Sequence, residues 1–151
     1  MIINIDTEQK KLTFKDSKKI KKKYSLFNYL SYNILKSFWE EYSWHFKYTY
    51  QFSWLGFPII QLPDDIIQIQ EFLFKEKPDF IVETGVAHGG SIIFYSSICK
   101  LLKKGKVIGI DIKIRKKNRK LLENSNLKKY FQLIESSSTS LKTILRIKNI
   151  I

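Results

Sequence analysis

Three short apolar runs recur along the second half of the chain at a period of some 25 residues: Phe80-Ile81-Val82, Val107-Ile108-Gly109-Ile110, and Tyr130 to Ile134. Their bulky, branched residues suit strands buried on both faces, the ordinary state of a parallel strand. Helical patterns separate them. Ile92, Tyr95, Cys99 and Leu102 recur at helical spacing, and Gly105, preceded by Lys100, Lys103 and Lys104, is a helix-stop signal. A basic helix is expected around Arg115 to Asn124, and Leu141, Ile144, Leu145 and Ile147 begin another. Strands alternating with helices in this order predict an α/β fold built on a right-handed parallel βαβαβ unit.

Upstream the pattern changes character. Asp65 followed three residues later by Gln68 resembles a capping box, and Ile66, Ile69 and Leu73 stripe a helix expected to run to about Lys77, ahead of Pro78. Asp64 and Asp65 read as its N-terminal charges. Residues 53–63, punctuated by Gly56, Pro58 and Pro63, read as a connector. From Tyr24 to Tyr50, Phe27, Leu30, Ile34, Phe38 and Tyr42 fall at spacings of three and four, an amphipathic helix crowded with aromatic residues at its end. That stripe reads as packed against the main domain, and His45 as structural. Lysines dominate residues 1–23, which suggests a weakly ordered basic arm. The expected division is therefore a basic arm over 1–23, an aromatic helical extension and connector over 24–63, and the α/β domain over 64–151.

The first strand carries the candidate chemistry. It ends in Glu83-Thr84-Gly85 and enters His88-Gly89-Gly90-Ser91. Glycines here allow positive φ and close approach to a ligand, while the next helix would aim its free N–H groups at the same place. The spacing is not the dinucleotide G-x-G-x-x-G, and a carboxylate beside the loop would repel a pyrophosphate while suiting a cationic or hydroxylated cofactor. A plain strand-to-helix turn whose glycines serve packing remains the alternative. The second strand also ends in a carboxylate, Asp111, 21 residues beyond Gly90. An acidic residue at that place accepts from ribose hydroxyls in nucleotide-binding units, the alternative being a cap before Lys113. Ligands of parallel sheets sit at the carboxyl ends of strands, so Glu83, Asp111 and the turn from Ser136 to Thr139 should gather there.

Composition narrows the classes. With 151 residues there is room for one domain with a core, and a single cysteine, Cys99, excludes an internal disulfide and points to an intracellular, cytoplasmic protein. No Cys/His cluster has metal spacing, nothing resembles a signal peptide, and no apolar run approaches the roughly 18 to 20 residues of a membrane span. The net charge of +13 resides largely in two runs, eight lysines from Lys10 to Lys23 and ten Lys or Arg from Lys100 to Lys120. These read as solvated faces rather than as a nucleic-acid footprint, with contact to an anionic membrane surface the lesser alternative.

Trp54-Leu55-Gly56, Ile60-Gln61, Pro63-Asp64-Asp65, Gln70-Glu71, Lys77-Pro78-Asp79, Glu83-Thr84-Gly85, His88-Gly89-Gly90-Ser91 and Gly109-Ile110-Asp111 together resemble the cephalosporin hydroxylase and rhamnosyl O-methyltransferase family. The resemblance runs from about Tyr48 to Thr139. It implies a Rossmann-like methyltransferase fold and S-adenosylmethionine as cofactor, with Glu83, Gly85, Gly89, Gly90 and Ser91 at the methionine end, Asp111 on the ribose, and Thr84, His88 and, on the third-strand turn, Ser137 and Ser138 as further cofactor-binding residues. Ser136 stands where the family usually has glycine, and Ser140 where aspartate is common. The family continues beyond this chain's end, with an Asp-x-Asp-His run and a further acidic pair that would hold magnesium, so the chain is expected to be truncated. No catalytic base or metal ligand is assigned within it. The resemblance implies transfer of a methyl group to a hydroxyl of a small molecule or sugar, and a homo-oligomer or complementing chain would complete the sheet. The alternative is a non-catalytic cofactor-binding or interaction module on the same fold.

Overall fold

In the computed structural model, which describes residues 2–15 and 21–151, the lysine-rich N-terminus forms strands rather than the weakly ordered arm its composition suggests. β1 (Ile2–Asp6), β2 (Lys11–Lys15) and β3 (Lys21–Ser25) make an antiparallel meander. The reason is an alternation hidden beneath the lysine count. Register sets Ile3 opposite Phe14, Ile5 opposite Leu12 and Leu12 opposite Tyr24, so one face is apolar and Leu12 is fully buried. Lys18 and Lys19 of the basic run lie outside the described residues.

α1 (Tyr29–His45) follows. Asn28 caps it, its side-chain oxygen accepting from the Ser31 N–H at 2.8 Å, while Ser31 Oγ donates to the Ser25 carbonyl at 2.6 Å. The helix begins later than its apolar spacing suggests because this cap stops it. Its aromatic stripe is not its buried face: Leu30, Phe38 and Tyr42 are exposed, and the rings pack along the helix, Tyr42 lying 4.5 Å from Phe46 between centroids. These elements form one compact unit, Met1–Lys47, and Tyr48–Ile151 forms a second.

The second unit opens with a 3-10 turn (Tyr48–Tyr50) and a hairpin of β4 (Phe52–Trp54) and β5 (Phe57–Ile59) where a plain connector was expected. Leu55 and Gly56 form its two-residue loop, both at positive φ, the geometry that matches strand twist. Trp54 anchors the hairpin, its Nε1–H donating to Ser97 Oγ at 3.0 Å and its ring meeting Phe94 edge-on at 4.9 Å. α2 (Pro63–Glu76) then starts earlier than the Asp65 capping box suggests. Pro63, with no N–H to leave unpaired, occupies its first position behind Leu62, so Asp64 and Asp65 lie within the first turn and favour the helix dipole rather than capping it.

β6 (Phe80–Thr84), α3 (Gly90–Leu102), β7 (Lys106–Asp111), α4 (Lys116–Glu123), β8 (Phe131–Glu135) and α5 (Leu141–Lys148) follow in the expected alternation. The strands pair in parallel in the order β6-β7-β8. α3 stops at Lys103, a left-handed residue, two positions before the glycine that was expected to end it. Side chains of β7 divide between two cores. Val107 belongs to one core with Ile92, Ile93, Leu122 and Phe131, whereas Ile108 and Ile110 join Ile134, with Phe80, Ile147 and Ile150 packed against them. Both faces of β7 are thus covered, and its apolar run is continuous for that reason. The outer edge of β6 has no partner strand among the described residues.

Candidate functional site

Parallel register brings three strand ends together, since Thr84 lies beside Ile110 and Asp111 beside Glu135. The chain leaves β6 through a turn held from two sides. Asp111 Oδ2 accepts from the N–H groups of Val86 at 2.8 Å and Ala87 at 3.3 Å, and its Oδ1 accepts from Lys113 N–H at 3.1 Å. From α4, Asn118 Nδ2 donates to the Ala87 carbonyl at 2.7 Å. Ala87 can therefore sit at φ 44, a left-handed conformation costly for a residue with a Cβ. Burial opposes ionisation of Asp111, but the N–H groups of Lys113, Val86, Ala87 and Ile112 outweigh it and hold the carboxyl below its ordinary range. Two N–H groups lie within hydrogen-bond distance of Oδ2 and one of Oδ1, with the Ile112 N–H adding to the field, and a carboxylate held this way is compatible with both the cap and the ribose readings.

The glycines divide in role. Gly85 has φ +94 with nothing within 4 Å of where a Cβ would be, so only its backbone conformation demands glycine, and the space beside it is open. At Gly90 the demand is packing: a Cβ would lie 2.6 Å from the Pro58 carbonyl carbon and 2.7 Å from Ile59 Cα. β5 crosses the start of α3 at that point, and the packing alternative applies to this glycine.

Two cavities open here, meeting at Gly85. One, of about 130 Å³, takes in Gln61, Glu83, Gly85, His88, Gly89, Gly90 and Ser91. The other, of about 140 Å³, takes in Thr84, Gly85, Asp111, Ser137 and Ser138. Between them they include every residue expected at the site. In the first, Gln61 Oε1, Glu83 Oε2 and His88 Nδ1 are buried with no hydrogen-bond partner. Burial pushes the Glu83 carboxyl up to about 7, opposed by a hydrogen bond from the Ser91 side chain. Tyr95 on α3 is raised too, by burial and by the Glu83 carboxylate, against a hydrogen bond with the Gln61 side chain. Ser136 and Ser140 on the third turn are satisfied internally. Ser140 caps α5 by accepting from Thr143 N–H at 3.2 Å, and Thr143 Oγ1 donates to Ser136 Oγ at 2.8 Å.

Gln61 and Asn118 were not expected at the site, although Ile60-Gln61 is among the motifs that carry the resemblance. Gln61 is the polar residue in Ile59-Ile60-Gln61-Leu62-Pro63, a signal that could have been noticed, but the place of Asn118 depends on how α4 packs. Among the described residues no three His, Cys, Asp or Glu side chains group to hold a metal ion, so the magnesium implied by the resemblance has no ligand set there. Nor is any described helix long and apolar enough to cross a membrane.

A parallel sheet with helices on both faces, a glycine turn after its first strand and acidic ends on its first two define a Rossmann-like methyltransferase fold. Residues 46–151 match the family model described as rhamnosyl O-methyltransferase/CmcI, and the chain belongs to that family. A solved structure described as "cmcI-N160 SAH" aligns with a TM-score of 0.45 and 24% identity, over 57% of this chain and 43% of that one. The chain thus spans less than half the length of that relative. No curated protein matches it.

Proposed function

We propose that the Tyr48–Ile151 unit binds S-adenosylmethionine as part of an O-methyltransferase acting on a hydroxyl of a small molecule or sugar. The observation that carries this reading is Glu83: a buried carboxyl at the glycine turn, with Oε2 unpartnered, on an open cavity. Such an oxygen calls for a cation or a donor and repels phosphate. Family membership supports the reading.

When bound, the cofactor supplies an electrophilic methyl group on a sulfonium. This chain's residues bind and orient. Glu83 accepts from the ammonium end, and the turn from His88 to Ser91 presents the first, unpaired N–H groups of α3 to the carboxylate. An oxygen of Asp111 takes a ribose hydroxyl, and Thr84, Ser137 and Ser138 line the same cavity beside it. Because Asp111 also holds the turn, ligand and loop order are coupled through one carboxylate.

Calorimetric titration of the chain with S-adenosylmethionine tests this. One-site binding that Asp111→Ala weakens by about 1–3 kcal/mol is expected from loss of hydrogen bonds to a charged acceptor. Absence of binding by a folded sample refutes the cofactor reading and favours an interaction module on the same fold.

A further inference from the structure

Three of the residues that line the first cavity each carry an unpartnered buried atom, and one of them lies outside the glycine turn. Gln61 Oε1, Glu83 Oε2 and His88 Nδ1 are each buried without a hydrogen bond. Their residues line a single cavity of about 130 Å³. The other unpartnered buried side-chain atoms among the described residues are all Ser or Thr hydroxyls. A hydroxyl rotates to find a partner, but an amide oxygen, a carboxylate oxygen and a ring nitrogen fixed in a wall cannot. Leaving each unsatisfied costs about 1–3 kcal/mol, so three of them on the residues of one cavity call for an occupant.

Chemistry selects the occupant. Gln61 Oε1 and Glu83 Oε2 only accept, and His88 Nδ1 accepts when its ring proton is on Nε2. A primary ammonium offers three donors and no acceptor, and so matches the three in number and in kind. A hydroxyl offers one donor, and a carboxylate offers none while facing Glu83. The hydrogen bond between Gln61 and the Tyr95 hydroxyl engages one end of the amide and leaves Oε1 for the cavity.

We infer that Gln61, delivered by the segment between β5 and α2, is a ligand-contacting residue that together with Glu83 and His88 forms a subsite for a primary ammonium group. This rests on the cofactor reading above, under which the ammonium is that of the methionine moiety. It assigns the segment between β5 and α2 a role in selectivity: the site distinguishes an amino-acid-bearing nucleoside from one without its amine. Because Gly90 admits the β5 backbone so closely, any shift of the hairpin would move Gln61 relative to the turn.

The test compares S-adenosylhomocysteine with its deamino analogue, hydrogen replacing the ammonium group, by calorimetry on wild type, Gln61→Leu and Gln61→Glu. Wild type is expected to prefer the amine-bearing ligand by at least about tenfold, as one hydrogen bond to a charged group gives. Gln61→Leu should weaken that ligand by about tenfold and leave the deamino analogue unchanged, whereas Gln61→Glu should retain the preference. Equal affinity of wild type for the two ligands overturns the inference, as does an equal loss for both in Gln61→Leu; the wild-type comparison stands even if a variant misfolds. If wild type binds neither, the cofactor reading falls first and takes this inference with it, an outcome distinct from binding without selectivity.

Discussion

Replacing Glu83 by Gln removes a carboxyl whose ionisation the fold opposes. Its value rises from 4.5 to about 7, chiefly through burial, with the Ser91 side chain pulling the other way. A carboxyl that binds its proton more tightly when folded stabilises the fold below pH 4.5, and that contribution disappears as pH climbs through 7. Integrating the proton-binding difference between pH 5 and pH 8 gives about 2.5 kcal/mol lost over that interval. Other groups titrate in the same range, so the informative quantity is the difference between wild type and Glu83→Gln. Urea titrations followed by far-ultraviolet circular dichroism at both pH values measure it. Wild type should lose about 2.5 kcal/mol relative to the variant on going from pH 5 to pH 8. A gap that stays constant would mean that Glu83 titrates as it does in the unfolded chain. The desolvated carboxyl, and the cation-seeking site built on it, would then be refuted.

Below about pH 7, affinity for a cationic cofactor should run in the opposite sense, rising roughly tenfold per pH unit because only ionised Glu83 is competent, then levelling; calorimetry from pH 5.5 to 8.5 checks this. Gly90→Ala should destabilise by about 3 kcal/mol because its new Cβ meets backbone, and Gly85→Ala by only about 1–2 kcal/mol of strain; a reversed order of melting temperatures would contradict the two roles. Asp111→Asn should cost about 1 kcal/mol after discounting for solvent screening, with the gap full well above pH 3.8 and closing as acid protonates the wild-type carboxyl, as paired melts at pH 3 and pH 7 would show.

What could be read in the chain was whatever depends on neighbours in sequence. Apolar runs buried on both faces, such as Val107 to Ile110, announce parallel strands, and Glu83 and Asp111 mark where those strands end. The hairpin from Phe52 to Ile59 was hidden because its turn uses Leu55, a residue that rarely adopts positive φ, and because Trp54 finds its partners some forty residues away on α3. Residues 2–25 misled for another reason. Composition counts lysines, whereas a strand needs only every second position to be apolar, and Ile5, Leu12 and Tyr24 meet only through cross-strand register. Gln61, within the Ile60-Gln61 motif, and Asn118 reach the glycine turn from elements either side of it, so their places at the site depend on packing.

The two acidic strand ends look alike in sequence and are driven in opposite directions by their surroundings. Asp111 takes N–H groups from its own strand exit and from the neighbouring turn, which keeps it ionised and makes it part of the loop's structure. Glu83, one strand over, has Ser91 as its partner and otherwise faces a cavity with an oxygen unsatisfied. Environments that drive like groups apart are a mark of divided labour. One carboxylate shapes the turn without any ligand, and the other imposes a cost on the empty fold that a cation would offset. Ligand binding and fold stability are then linked through Glu83: a bound cation should abolish the loss of stability that wild type shows above pH 5, because the ionised carboxyl would have its partner.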